Sequence, residues 1–326
     1  GVLHINRLPY AAHFMGYPTK EMAMNGDRTK SPYFKSLNGT WKFHYVPRYD
    51  ERPMDFQKNG FNVSDWDDIK VPSNWELEGF GYPFYVGSGY GIKKNPPLIA
   101  VENSPVGSYK RTFDIPANWM KQQVVLYFGG VASAFYVWVN GEMVGYSQDS
   151  KTPSEFDITP YIKAGKNEIS VQVFKFSDGY YLEDQDYWRF AGIQRDVFVY
   201  ARPKTHIRDF EVVTDLDKDY KDAVLDVYAE VGKAKGAKNG KVEIKAELMD
   251  LSGKSLYSEK KALTSGSNEI HFSKVAAICP VESSVLCLGV QALIYPVPNM
   301  SALKRRVCLD YVPIVLEVTY AVAHCV

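Results

Sequence analysis

Between a strand signal ending at Val173 and another beginning at Val197 runs a connection far longer than turning the chain requires. It carries Asp178, Glu183, Asp184 and Asp186, the aromatics Tyr180, Tyr181, Tyr187, Trp188 and Phe190, and the arginines Arg189 and Arg195. Connections between strands usually run to about four to six residues, so one of this length is either functional or disordered, and its aromatic content argues against disorder. Aromatic faces can stack on a flat ligand, while carboxylates accept hydrogen bonds from hydroxyls or bind a hard cation. Residues of these types in one loop suit a sugar.

The flanking sequence reads as β-structure. Trp41, Phe43 and Tyr45 alternate along one strand face, Val124 to Phe128 reads as a buried strand, and Ile169, Val171 and Val173 mark another. Phe135 to Tyr146 reads as a hairpin whose Asn140-Gly141 pair favours a type I′ turn. Many short strands with Gly/Pro turns and no strong helical period indicate a sandwich or jelly roll. The 23 tyrosines outnumber the 17 phenylalanines, which fits polar aromatic surfaces on sheets better than a helical core. Residues 1–35, with Pro9, Pro18 and Pro32 and no sustained period, read as an extended arm; residues 36–202 form the jelly-roll domain.

After Arg202-Pro203-Lys204 the texture changes. Ala223, Leu225, Val227, Ala229 and Val231, then Val242, Ile244, Ala246 and Leu248, alternate with polar residues as a half-buried sheet does. Spacing of this kind places an immunoglobulin-like β-sandwich at 203–277. Beyond it, residues 278–326 form an atypical tail, poor in acids and holding all four cysteines, Cys279, Cys287, Cys308 and Cys325.

Composition narrows the partners. Lys+Arg and Asp+Glu both total 38, which removes the electrostatic case for nucleic acid or an anionic membrane surface. No apolar run is long enough to span a bilayer, and the opening residues lack the pattern of a signal peptide. Neither cytoplasm nor periplasm is favoured. The six histidines are dispersed without ligand spacing, so a zinc site has little support.

Three long stretches, Val71 to Tyr85, Asn95 to Phe113 and Phe176 to Val197, resemble the N-terminal domain of the family 2 glycoside hydrolases, specifically the bacterial β-galactosidases of the long, five-domain type. The resemblance covers residues 5 to about 275 and implies a galactose-binding-like jelly roll followed by an immunoglobulin-like sandwich. It also implies that the chain is the N-terminal portion of a retaining enzyme acting on β-galactosides, with both catalytic glutamates on a later (β/α)₈ barrel and no catalytic residue here. Two pocket-lining residues carry over. Asp178, in Ser177-Asp178-Gly179, matches the aspartate that accepts a hydrogen bond from a galactosyl hydroxyl and helps hold sodium; Asn103 matches an asparagine lining the same pocket. The sodium site would be partial, and the magnesium of the full-length family takes its ligands from elsewhere. The implied partners are the β-galactoside, the missing C-terminal catalytic domains and, at full length, further copies of the enzyme. The family continues with a Trp-containing stretch ending in Pro-Asn-Leu-Tyr that the tail lacks, so 278–326 is read as not the native continuation, the alternative being a divergent pair of closing strands.

Each signal has a plainer reading. Asp178 before Gly179 can be a turn aspartate bonding its own backbone, and Asn103 before Ser104-Pro105 a turn residue. Trp188 reads as packing and Arg189 as pairing with a loop acid. Glu183 and Asp186 do not read as a catalytic pair, because retention needs two carboxyls about 5 Å apart with environments that separate their pKa values, and nothing here supplies that difference. The rival for the whole chain is a stand-alone carbohydrate-binding jelly-roll module; a glucuronide- or mannoside-cleaving relative fits the loops less well.

Overall fold

A computed structural model describes residues 4–183, 186–218, 222–238, 240–249, 254–264, 266–277, 288–297 and 310–321. Asp184 and all four cysteines lie outside the described residues. The architecture is nearly all β, as the strand periods require, and the one α-helix among the described residues is Lys20–Asn25. The chain divides into two compact units, Gly1–Tyr10 with Lys35–Ala201, and Ala11–Phe34 with Arg202–Val326.

The first unit is a β-sandwich. Its larger sheet is antiparallel and runs, edge to edge, His4–Ile5, Glu142–Gln148, Ala134–Val139, Gly165–Phe174, Val106–Ile115, Gly39–Val46 and Asp67–Val71. Its smaller sheet runs Ser154–Asp157, Gln123–Phe128, Val197–Arg202 and Phe34–Ser36. Phe135 of the larger sheet meets Phe128 and Phe156 of the smaller, with centroids 4.9 and 6.0 Å away, so aromatic edges fill the space between the layers. The hairpin forms as its sequence predicts. Val139 pairs with Glu142, and Asn140 and Gly141 have φ of 52° and 85°, the two positive values that a type I′ turn demands.

Strand alternation decides what this sheet shows to the outside. Phe135, Val137 and Val139 point into the core, which turns Tyr136 and Trp138 to the other face, where they are half-buried. Outward positions of an antiparallel sheet are ordinarily polar. Here they are aromatic.

The second unit also has two sheets. One runs Thr205–Leu216, Asp222–Lys233 and Glu269–Ala277; the other Ser255–Ala262, Lys241–Met249, Asp310–Ala321 and Leu288–Val297. The alternating residues Leu225, Val227, Ala229, Val231, Val242, Ile244, Ala246 and Leu248 form its core with Ile207, Ile270 and Phe272. Two of its strands thus fall in the tail, and Leu288–Val297 pairs in parallel with Asp310–Ala321. The leading segment differs from a single extended arm: Gly1–Tyr10 belongs to the first unit, while Ala11–Phe34 joins the second and contains the helix. Thr19 caps that helix by accepting from Met22 N, and Gly26 ends it at φ 67°.

Candidate functional site

The strand Gly165–Phe174 leaves the larger sheet at Lys175 and the chain returns at Ala191. Both ends of this excursion are held by one carboxylate. Glu76 Oε1 lies 2.5 Å from Lys175 Nζ, and Glu76 Oε2 accepts from Ala191 N at 3.0 Å. The Glu76 side chain is 0% exposed and that of Lys175 is 6% exposed, so neither charge has water to fall back on. Burial pushes the Lys175 amine below its ordinary range, and Glu76 pulls it part of the way back.

Within the excursion the chain makes a 3-10 helix, Asp178–Leu182, whose tyrosines are props rather than platforms. Tyr180 donates to Tyr90 O at 2.8 Å; Tyr181 donates to Leu98 O at 2.9 Å and accepts from Asn95 N at 3.2 Å. Both rings are buried, and together they hold the 90–98 loop in place. Glu183 accepts from Ser150 N at 2.8 Å and Ser150 Oγ at 2.5 Å, which makes it a tie to the neighbouring loop. Arg189 is 2% exposed, donates to Glu183 O at 3.3 Å and lays its guanidinium over the Tyr187 ring at 4.3 Å. Asp186 accepts from Tyr85 Oη. Trp188 differs: it is 51% exposed and stacks against Phe190.

Asp178 opens the helix, half-buried. Its Oδ1 accepts from Gly179 N at 3.0 Å, the turn bond that the plainer reading predicts, and also from Gln148 Nε2 at 2.6 Å. No donor among the described residues reaches Oδ2. Gln148 Nε2 also donates to Tyr146 Oη at 2.6 Å. Burial pushes the Tyr146 phenol up to about 12, so it stays a neutral hydroxyl at ordinary pH. Gly179 lets this arrangement close, because a Cβ there would stand 2.3 Å from Gln148 Oε1.

Asp178 borders a cleft of about 710 Å³ over the outer face of the larger sheet. Tyr136, Trp138 and Phe174 form its floor; the 49–57 and 97–99 segments form its walls. Asn103 sits at φ 58° in an exposed turn and borders a separate hollow of about 320 Å³ beside Lys93, Glu102 and Ser104. The two sequence-predicted residues therefore face neighbouring hollows that share Ile99, not a single cavity. Among the described residues no group of three His, Cys, Asp or Glu side chains converges as a metal cage. Asp178 Oδ2 fits a hard cation as one oxygen ligand of several.

Sequence reasoning missed Gln148 and Glu76. Gln148 lies within the polar run Ser147-Gln148-Asp149 at the end of the second hairpin strand, a weak signal; Glu76 gave none.

Comparison with known proteins adds family and fold. The family model described as glycosyl hydrolases family 2, sugar binding domain, matches residues 34–203, just over half of the chain. A curated β-galactosidase of Priestia megaterium is 46% identical over 234 residues, covering 71% of this chain and 23% of that protein. A β-galactosidase of Halalkalibacterium halodurans is 43% identical over 256 residues, covering 77% of this chain and 25% of that protein. The chain thus spans about a quarter of the length of these relatives. Among solved structures, a β-glucuronidase of Bacteroides uniformis superposes with TM-score 0.58 at 21% identity, over 75% of this chain and 27% of that one. A family 2 member from Bacteroides cellulosilyticus gives 0.57 at 18% identity, over 87% and 36%. At such identities the structures speak for the sandwich fold alone.

Proposed function

Because this chain belongs to glycosyl hydrolase family 2 and carries the family's sugar-binding domain, we propose that it is the N-terminal portion of a retaining β-galactosidase, furnishing pocket-lining residues to a catalytic barrel encoded beyond it. The relatives named β-galactosidase, at 46% and 43% identity, support the galactoside over other sugars. The observation that carries the reading is Asp178: its Oδ1 is fixed by Gln148 and Gly179, and its Oδ2 is left for something outside the loop. A carboxylate held in this way accepts a hydrogen bond from a galactosyl hydroxyl and contributes one oxygen to a sodium ion, which would bridge sugar and protein when bound.

In this reading the chain orients the sugar and leaves the chemistry elsewhere. Retaining hydrolysis needs two carboxyls about 5 Å apart, acting as acid/base and nucleophile. The acids of the excursion are otherwise engaged, Glu183 with Ser150 and Asp186 with Tyr85. The purified chain is expected to release no nitrophenol from nitrophenyl β-galactoside. Turnover that Asp178→Ala abolishes would overturn this division of labour.

A further inference from the structure

The sequence holds five Asn-Gly pairs, at 25–26, 38–39, 59–60, 140–141 and 239–240. Asparagine before glycine is prone to deamidation, because the following backbone nitrogen can reach the side-chain Cγ and glycine has no Cβ to obstruct the approach. Whether a given pair reacts depends on whether the fold leaves the Cγ and the nitrogen free to meet. Asn239 lies outside the described residues; the other four pairs differ from one another.

Three of them are restrained. Asn140 Nδ2 donates to Tyr161 O and Asn167 Oδ1 at 2.8 Å each, and its Oδ1 accepts from Glu168 N at 3.0 Å. Asn38 Nδ2 donates to Asp196 Oδ1 and its Oδ1 accepts from Val197 N, both at 2.9 Å. Neither side chain can swing toward the next nitrogen without giving up these bonds. At Asn25 the side chain is exposed but the nitrogen is engaged, since Gly26 N donates to Met22 O at 3.1 Å as the helix cap.

Asn59 and Gly60 differ on both counts. Both are exposed in a turn that Phe61 N closes on Lys58 O at 3.2 Å, and Gly60 has φ 77° with no atom within 4 Å of where a Cβ would stand. Gly60 N meets no backbone acceptor among the described residues. The Asn59 side chain makes one bond, Nδ2 donating to Asn140 O at 2.9 Å, and that bond is exposed, so water readily takes its place.

We propose that Asn59 is a site of spontaneous modification, deamidating in the folded protein while Asn25, Asn38 and Asn140 are protected. The Gly60 nitrogen attacks Asn59 Cγ and loses its proton; the new C–N bond forms, the Cγ–Nδ2 bond breaks, and the amide nitrogen leaves with that proton as ammonia. Water then opens the succinimide ring at either carbonyl, leaving aspartate or isoaspartate. The product carboxylate faces Asn140 O, an acceptor, so the tie to the hairpin turn is lost. Buried Lys110 still donates to Phe56 O at 2.7 Å and Lys58 O at 3.1 Å, which keeps the rest of the loop seated. The folded chain therefore carries the mark. Nothing in this chemistry draws on Asp178 or on the galactosyl reading.

The test keeps the purified chain in mildly alkaline buffer, well below its unfolding temperature, beside a second sample in concentrated urea. Peptide mapping by mass spectrometry follows aspartate and isoaspartate at each pair. In urea the four sites are expected to react at similar rates, since glycine follows each. In buffer Asn59 is expected to stay close to its urea rate, Asn25 to fall about five- to tenfold behind for the one bond its glycine nitrogen must break, and Asn38 and Asn140 further still. Asn59 slowed in buffer as much as Asn38 and Asn140, or any of the other three reacting as fast as Asn59, would overturn the proposal. Asn59→Asp, which stands for one product, is expected to keep the urea midpoint of the wild type; an unfolded variant would overturn the claim that the folded chain carries the mark.

Discussion

Gln148 Nε2 donates to Asp178 Oδ1 at 2.6 Å and to Tyr146 Oη at 2.6 Å, so one amide sets the position of both a carboxylate and a phenol on the cleft. Asp178 begins a helix of only five residues and has the turn bond to Gly179 N as its other anchor. The amide therefore decides which way the carboxylate faces.

Gln148→Leu removes the amide and keeps the bulk. Hydrogen bonds to charged groups contribute about 1.5–3 kcal/mol, discounted here because water can replace the amide at a half-exposed carboxylate. The expected outcome is a loss of galactose affinity of about three- to tenfold with the midpoint of unfolding little changed. Gly179→Ala should act in the same direction, because its Cβ would displace Gln148 Oε1 from 2.3 Å. Galactose titration beside urea denaturation measures both.

The Glu76 and Lys175 pair predicts a non-additive cost. Stripping one partner leaves a charge buried alone, an effect of about 3–5 kcal/mol, whereas replacing both with apolar side chains of similar volume is often close to neutral. Glu76→Leu and Lys175→Met should each destabilise the first unit severely, and the double variant should recover much of the loss. Glu76 also accepts from Ala191 N, so the recovery should stop short of wild type. A double-mutant cycle by chemical denaturation reads the coupling directly.

His206 predicts acid sensitivity in the second unit. Its ring is buried, with Nδ1 3.0 Å from Pro203 O, and burial first, then Arg202, holds its pKa well below the ordinary imidazole value of 6.5. The folded ring stays neutral while the unfolded one takes a proton, so its contribution is complete above 6.5 and is lost as pH falls toward the depressed folded value. Stability should drop by up to about 1.4 kcal/mol per pH unit in that window, and His206→Gln should flatten the slope. Urea melts between pH 7 and pH 4.5 give the comparison.

Much of the framework was legible in residue order because it rests on local rules. Alternation along Ala223 to Val231 and Val242 to Leu248 foretold which side chains fill the second core. Asn140-Gly141 announced its own turn, since few other pairs accept two positive φ values. The site was legible only in outline. The acidic-aromatic excursion stood out, yet Tyr180 and Tyr181 prove to be buried props, because their partners Tyr90 and Leu98 lie on a loop that nothing nearby in sequence announces. Glu76 clamps residues 99 and 115 positions away, and pairings at that distance leave no period to read. The helix Lys20–Asn25 was hidden by its length, two turns being too short to establish an apolar face.

In the function proposed above, Asp178 turns a carboxylate oxygen outward for a galactosyl hydroxyl. Calorimetric titration of the chain with galactose, in sodium and then in potassium buffer, tests it most directly. Weak binding that is stronger in sodium and lost in Asp178→Ala is the predicted result. Galactose binding of equal strength in wild type and Asp178→Ala would contradict it.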